Sequence, residues 1–387
     1  MKRSVVPLLT LVFLALTLGS LTSSTFAQSI SGVTTLSGCG SDFFSDSGTP
    51  ATCYSGVVTG CTGADDLQFS FSYDAPASPK GVIVLLSGGG GTSASAYPGA
   101  ELTYAQDYFN DGYAVVQVAW AWDWEDTTIP SGYTGGGPSL SVAPNIEAAA
   151  CRPATFLNYI NNTSIVHPSG TPLCAQGASA GSGAVGYSMA WYNGASILKN
   201  VELLSGPVFG NIEQGCVVPH ASPQTICGSS QYGCSSGTVS DGSWTDDPWY
   251  VAGYLTGVRG WTGDSTCNGS TNTSSGSNAA WLAMSIVTTG ADLSYSTNGM
   301  AGWLCASYAN NTCFTNQGCP NNSAAQGNYF YSSFSSANHP VGYVLTGITS
   351  CNGAEGVTTG YDPDVPGDAE TGQTAIEDHM LLYCKNP

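Results

Sequence analysis

Gln176-Gly177-Ala178-Ser179-Ala180-Gly181-Ser182-Gly183 is the stretch that decides how this chain is read. An apolar run, residues 171–176, leads into it, and a stretch with helical spacing, residues 183–192, leads out. G-x-S-x-G in that context describes a serine at a sharp strand-to-helix turn. Such a turn strains the serine backbone, and bulky side chains two residues to either side would collide with the strand and helix. Gly177 and Gly181 meet that need, and Ala178 and Ala180 add no bulk. The first N–H groups of the helix point at the serine, where a developing oxyanion would be favoured. The plainer reading is a Gly/Ser turn in a chain that holds 50 glycines. The flanking strand and helix favour a nucleophile.

Working outward, Gly81-Val82-Ile83-Val84-Leu85-Leu86 is a continuous β-branched and aliphatic run, the pattern of a strand buried on both faces. Residues 113–120 repeat it. Residues 201–204, 283–288 and 341–348 are further strand candidates, while 67–73 alternates as a half-exposed strand does. Helical spacing is read at 101–110, 146–160 and 183–192. Strands alternating with helices predict an α/β fold: a mostly parallel central sheet, helices on both faces, the active site at the carboxyl ends of the strands.

Directly after the first buried strand comes Ser87-Gly88-Gly89-Gly90-Gly91-Thr92. A polyglycine turn lets backbone N–H groups approach a ligand, because no Cβ stands in the way. The N–H of Gly89 would form one half of an oxyanion hole and that of Ala180 the other. A phosphate-cradling loop would need a following Lys-Ser/Thr, which is absent here. A merely flexible turn is the remaining alternative.

Composition narrows the class. Charged residues make up 9%, against the usual value of about 25%. Seven Lys and Arg in 387 residues, with a net charge of -19, cannot make a basic stripe, so no nucleic-acid partner is expected. Lys2-Arg3, an apolar run from 5 to 18 and Thr25-Phe26-Ala27 read as a signal peptide over 1–27. The run is shorter than the roughly 20 residues that span a bilayer, so no membrane anchor is expected after cleavage. Export makes the fourteen cysteines disulfide candidates rather than metal ligands, and no metal or other cofactor is expected. Local staples are expected at Cys53 with Cys61, at Cys305 with Cys313 or Cys319, and at Cys351 with Cys384. The domain reading is a stapled N-terminal segment over 28–64, then a catalytic domain over 65–387. Cysteine- and aromatic-rich residues 211–280 and 293–338 read as lid-like insertions.

The order strand, Gly-rich loop, strand, helix, strand, Gly177-Ala178-Ser179-Ala180-Gly181, helix resembles the α/β-hydrolase superfamily over residues 65–387. The glycine loop resembles the HGGG-type loop of lipases and esterases, with Ser87 where that loop has histidine. The resemblance implies a serine hydrolase whose triad runs Ser, acid, His along the chain. Asp292, following residues 283–288, fits the acid position; a turn or cap role is its alternative, and Asp264, Asp362 and Asp364 are reserves. His379, after the last strand, fits the base, with His339 next. His167 precedes the nucleophile strand, and His220 falls in the first insertion.

Trp120, Trp122 and Trp124 follow the second buried strand and would hold a sugar or aromatic acyl group, unless they serve the core. Together these readings predict an exported esterase acting on a polymeric or carbohydrate-linked ester. A peptidase on the same scaffold and a catalytically silent binding protein are the alternatives.

Overall fold

The computed structural model describes residues 28–48, 50–95, 98–129, 146–204, 206, 209–210, 283–305, 327, 330–348, 350–352, 356–359 and 372–386. Residues 1–27, read as a signal peptide, and 211–280, read as the first insertion, lie outside that set.

Among the described residues, nine strands form one sheet. They are β1 (Ser29–Thr35), β2 (Thr52–Thr59), β3 (Leu67–Asp74), β4 (Val82–Leu86), β5 (Ala114–Trp120), β6 (Leu173–Ala178), β7 (Leu198–Leu204), β8 (Gly299–Cys305) and β9 (Val341–Ile348). Their spatial order is β1-β2-β3-β5-β4-β6-β7-β8-β9. The pairs from β1 to β5 are antiparallel, and those from β5 through β4 to β9 are parallel. A separate hairpin pairs β10 (Ser350–Asn352) with β11 (Gly356–Thr359). The five residues of β4 and the seven of β5 are all buried, as continuous apolar strands under helices on both faces must be.

Among the described residues, two helices cover each face. α2 (Ile146–Asn162) and α3 (Ala180–Trp191) bury Phe156, Leu157, Ala184 and Val185 with Val84, Ala175 and Leu203. α1 (Pro98–Asn110) and α4 (Gly372–Tyr383) bury Tyr104, Tyr108, Ile376 and Met380 with Ile83, Cys174 and Leu204 on the other face. The chain runs from β4 out to β5 and returns past β4 to β6, so the sheet switches direction between β4 and β6. In such sheets the crevice at the carboxyl ends beside the switch point is where ligands bind. This strand order, with its helices on both faces, is that of the α/β-hydrolase fold.

Several sequence expectations change. Residues 283–288 are not a strand: Ala283 is helical and a turn with bends follows. The strand beside β7 is β8, inside the range read as a second insertion. Its Gly299 and Gly302 hid it, yet close packing demands both. A Cβ at Gly302 would lie 2.3 Å from the Tyr331 ring, and one at Gly299 would lie 2.2 Å from Asn200 Oδ1. The N-terminal segment is no separate unit either, because β1 and β2 extend the main sheet.

Disulfides join Cys39 to Cys53, Cys61 to Cys151 and Cys174 to Cys384. Two of the three close long loops rather than the short ones expected, and neither Cys53–Cys61 nor Cys351–Cys384 forms. Cys174–Cys384 spans 210 residues and ties β6 to the chain end after α4. By chain entropy a loop of that length stabilises by roughly 5 kcal/mol. Cys313 and Cys319 lie outside the described residues.

Candidate active site

Ser179 sits between the last residue of β6 and the first of α3, with φ 50° and ψ -117°. It is one of two described residues other than glycine with positive φ, a strained conformation of the kind that collects at functional sites. The neighbouring glycines are required by contact. A Cβ on Gly177 would stand 2.3 Å from Gly181 O, and one on Gly181 would stand 2.1 Å from Leu86 O and 2.8 Å from Ser87 O. Strand, turn and helix therefore touch backbone to backbone, and the turn abuts the start of the glycine loop. Ser179 N donates to Leu204 O at 2.9 Å, fixing the turn to β7. Ser179 O accepts from Ser182 N at 2.9 Å, Gly183 N at 3.2 Å and Ser182 Oγ at 2.6 Å. Ala180 opens α3, so its N–H has no intrahelical acceptor.

The glycine loop is built around three consecutive positive φ values: Gly89 at 60°, Gly90 at 79° and Gly91 at 70°. Gly90 and Gly91 are buried, and a Cβ on either would strike Asp123 or Trp120. Gly89 is exposed, with open space where its Cβ would stand. The loop packs against α3, beside Ser179. Trp124 N donates to Gly90 O at 3.1 Å, so the segment after β5 holds the loop from one side. That segment is itself pinned by the buried Arg152, whose guanidinium donates to the carbonyls of Asp65, Trp124 and Asp126. Burial pulls Arg152 down to about 10, an effect that Asp65 and Asp126 oppose, so it stays cationic at neutral pH.

His379 and Asp292 do not join Ser179, and both assignments are corrected. His379 is the eighth residue of α4, 8% exposed, on the face of the sheet away from α3. Its Nδ1 lies 2.6 Å from Oε1 of Glu202, which is fully buried on β7, and its Nε2 lies 2.7 Å from Gly342 O. A carbonyl only accepts, so Nε2 carries a hydrogen and donates it to Gly342 O, while Nδ1 is engaged by Glu202. Glu202 is fully used: Oε1 also accepts from Asn200 Nδ2 at 2.7 Å, and Oε2 accepts from Trp303 Nε1 at 2.5 Å. The Tyr383 and Trp303 rings flank the imidazole at 4.6 and 6.0 Å. A ring with both nitrogens engaged in this way is not placed to take a serine proton. Glu202 also lies two residues before Leu204, the partner of Ala178, which is about 7 Å toward the amino ends of the strands.

Asp292 donates its N–H to Ala190 O, at the far end of α3 from Ser179. Ten residues of helix place it about 15 Å away. Its exposed carboxylate accepts from Ser294 N at 2.9 Å, the turn role named as its alternative. His167 and His339 precede β6 and β9, at the amino ends. His220, Asp264, Asp362 and Asp364 lie outside the described residues.

The tryptophans divide. Trp120 and Trp124, 2% and 1% exposed, are core residues, and Trp120 packs edge-on against Phe69 and Phe156. Their substrate-binding assignment is corrected, because no face is left for a ligand. Trp122 is half-buried, with Nε1 donating to Asp126 Oδ2 at 2.6 Å.

No helix among the described residues is long and apolar enough to cross a membrane. No family model and no curated protein matches the sequence. Solved structures do. Acetyl xylan esterase 1 from a Thermoanaerobacterium species is 12% identical with a TM-score of 0.42, over 92% of this chain and 88% of that one. An esterase from Pyrobaculum calidifontis is 12% identical with a TM-score of 0.36, over 73% and 71%. Est1E from Butyrivibrio proteoclasticus is 12% identical with a TM-score of 0.29, over 39% of this chain and 53% of that one, so the chain spans about half of its length. At such distances no residue role or substrate transfers. The assignment of fold rests on the strand order and on the turn that carries Ser179.

Proposed function

We propose that the protein is an exported serine hydrolase that cleaves carboxylic esters, with Ser179 as nucleophile. One observation carries the reading: a strained serine between β6 and α3, at the switch point of the sheet, in a turn whose Gly181 abuts the start of a loop of left-handed glycines. Ser179 Oγ attacks the ester carbonyl, and the alkoxide that forms lies toward the N–H groups of Ala180 and Gly89. The alcohol leaves, and water releases the acid from the acyl-enzyme. Removal of the serine proton falls to a group other than His379, His167 or His339. A polymeric or carbohydrate-linked ester suits an exported, disulfide-bonded catalyst, and the charge of -19 disfavours polyanionic substrates.

The test is a panel of short p-nitrophenyl esters and aminoacyl anilides run on wild type and Ser179→Ala. Ester turnover lost in the variant supports the reading. Anilide turnover without ester turnover favours a peptidase, and turnover unchanged in Ser179→Ala overturns the nucleophile.

A further inference from the structure

The far limb of the glycine loop is held by the connection between β1 and β2. Asp42 belongs to the N-terminal segment, three residues after Cys39, which is bonded to Cys53 on β2. Its Oδ2 accepts from Ser93 Oγ at 3.1 Å and from Ala94 N at 3.2 Å. Ser93 O in turn accepts from Ser87 Oγ, joining the two limbs of the loop across Gly88–Gly91. The one Ser93 hydroxyl hydrogen is shared with Ser95 O, 3.0 Å away. Buried Gln117 on β5 repeats the link: its Oε1 accepts from Phe44 N at 2.6 Å, and its Nε2 donates to Ala94 O at 3.3 Å.

These bonds have a common target. Three left-handed glycines in a row cost conformational entropy to fix and have no side chains to fix them. Something else must hold the Gly89 N–H in place, and a misplacement of about 1 Å can cost on the order of 100-fold in rate.

We infer that Asp42 and Ser87 are positioning residues for the oxyanion loop, with the disulfide-bonded N-terminal segment acting as its brace. The inference rests on the proposed ester hydrolysis. Ser87 occupies the start of the loop and closes it by a hydrogen bond to its far limb, and Asp42 clamps that limb from the neighbouring segment.

The test compares Asp42→Ala, Asp42→Asn and Ser87→Ala with Asp46→Ala, which alters the same segment away from the loop. For p-nitrophenyl acetate, Asp42→Ala and Ser87→Ala are expected to lower kcat by about 10- to 100-fold with KM within about twofold. Asp42→Asn, which keeps an accepting oxygen, is expected to restore most of kcat. Asp46→Ala is expected to leave it unchanged. Backbone hydrogen exchange of residues 87–95 is expected to quicken in Asp42→Ala only over that stretch. A wild type labelled at Ser179 by a fluorophosphonate, with kcat unaltered in Asp42→Ala and Ser87→Ala, overturns the brace alone. Equal losses in Asp42→Ala and Asp46→Ala also overturn it, since they mark general destabilisation. A wild type that neither hydrolyses esters nor labels at Ser179 overturns the esterase reading and the brace's catalytic role together.

Discussion

Ser179 and His379 occupy opposite kinds of site. The serine stands at a strand end in strained backbone, half-buried, with helix N–H groups and a glycine loop beside it. The histidine lies in the middle of a regular helix, with both nitrogens engaged, one of them by Glu202. Strain and unused donors mark a place prepared for a transient charge. A full set of hydrogen bonds around a buried His–Glu pair marks a structural tie. In this protein the second fastens α4 to β7 and to the first residues of β9, and the proposed chemistry belongs to the first.

The largest effect that could break this contrast concerns the turn itself. Gly181→Val is expected to yield no folded protein, because its Cβ would sit within 2.1 Å of Leu86 O. Soluble expression and circular dichroism would show it, and a folded, active Gly181→Val would mean that the backbone contact is not needed. Next, Ser179→Gly is expected to lose ester turnover by at least about 1,000-fold while gaining about 1–2 kcal/mol of stability, since glycine tolerates the positive φ. A catalytic serine held in strain predicts that pairing; a structural serine would predict neither.

His379→Gln sharpens the other side. Removing one partner of a buried pair typically costs about 3–5 kcal/mol. Denaturant unfolding is expected to read that loss, with ester turnover per folded molecule within about threefold of wild type. A collapse of kcat with stability intact would return His379 to the catalytic role.

The smallest effect is on pH dependence. Burial raises Asp74, Asp126 and Glu147 above the ordinary carboxylate range, partly opposed by a backbone N–H at Asp74 and by Trp122 at Asp126. The folded chain therefore takes up these protons at higher pH than the unfolded chain. Where the folded state binds more protons, stability falls as pH rises. Melting temperature is expected to climb by a few degrees as pH drops from about 7 toward about 5. A melting temperature that falls steadily over that interval would contradict these three shifts.

How far the sequence could be read follows the same division. The turn at Ser179 and the glycine loop were legible because their demands are local. Small residues two positions either side of a serine, and consecutive glycines after a buried strand, are backbone requirements written into neighbouring positions. β4, β5 and β6 were legible as apolar runs. β8 was not, since Gly299 and Gly302 are set by the side chains of Asn200 and Tyr331, far away in the chain. His379 was misassigned by its place near the chain end. A signal was present: Ala375, Ile376, His379, Met380 and Tyr383 fall at helical spacing, and the first four are buried on one face. A histidine on such a stripe is a core residue awaiting a buried partner. That partner, Glu202, lies 177 residues earlier, beyond the reach of any local pattern. Trp120 and Trp124 went the same way, because strand-end tryptophans reveal nothing of the Phe69 and Phe156 rings that cover Trp120.

One measurement weighs the serine against the histidine directly. Wild type and folded His379→Gln are each treated with a fluorophosphonate, and the adduct is located by peptide mass mapping. A single adduct on Ser179 in both proteins is the predicted result. A wild type modified elsewhere, or a folded His379→Gln whose Ser179 stays unreactive, would contradict the account.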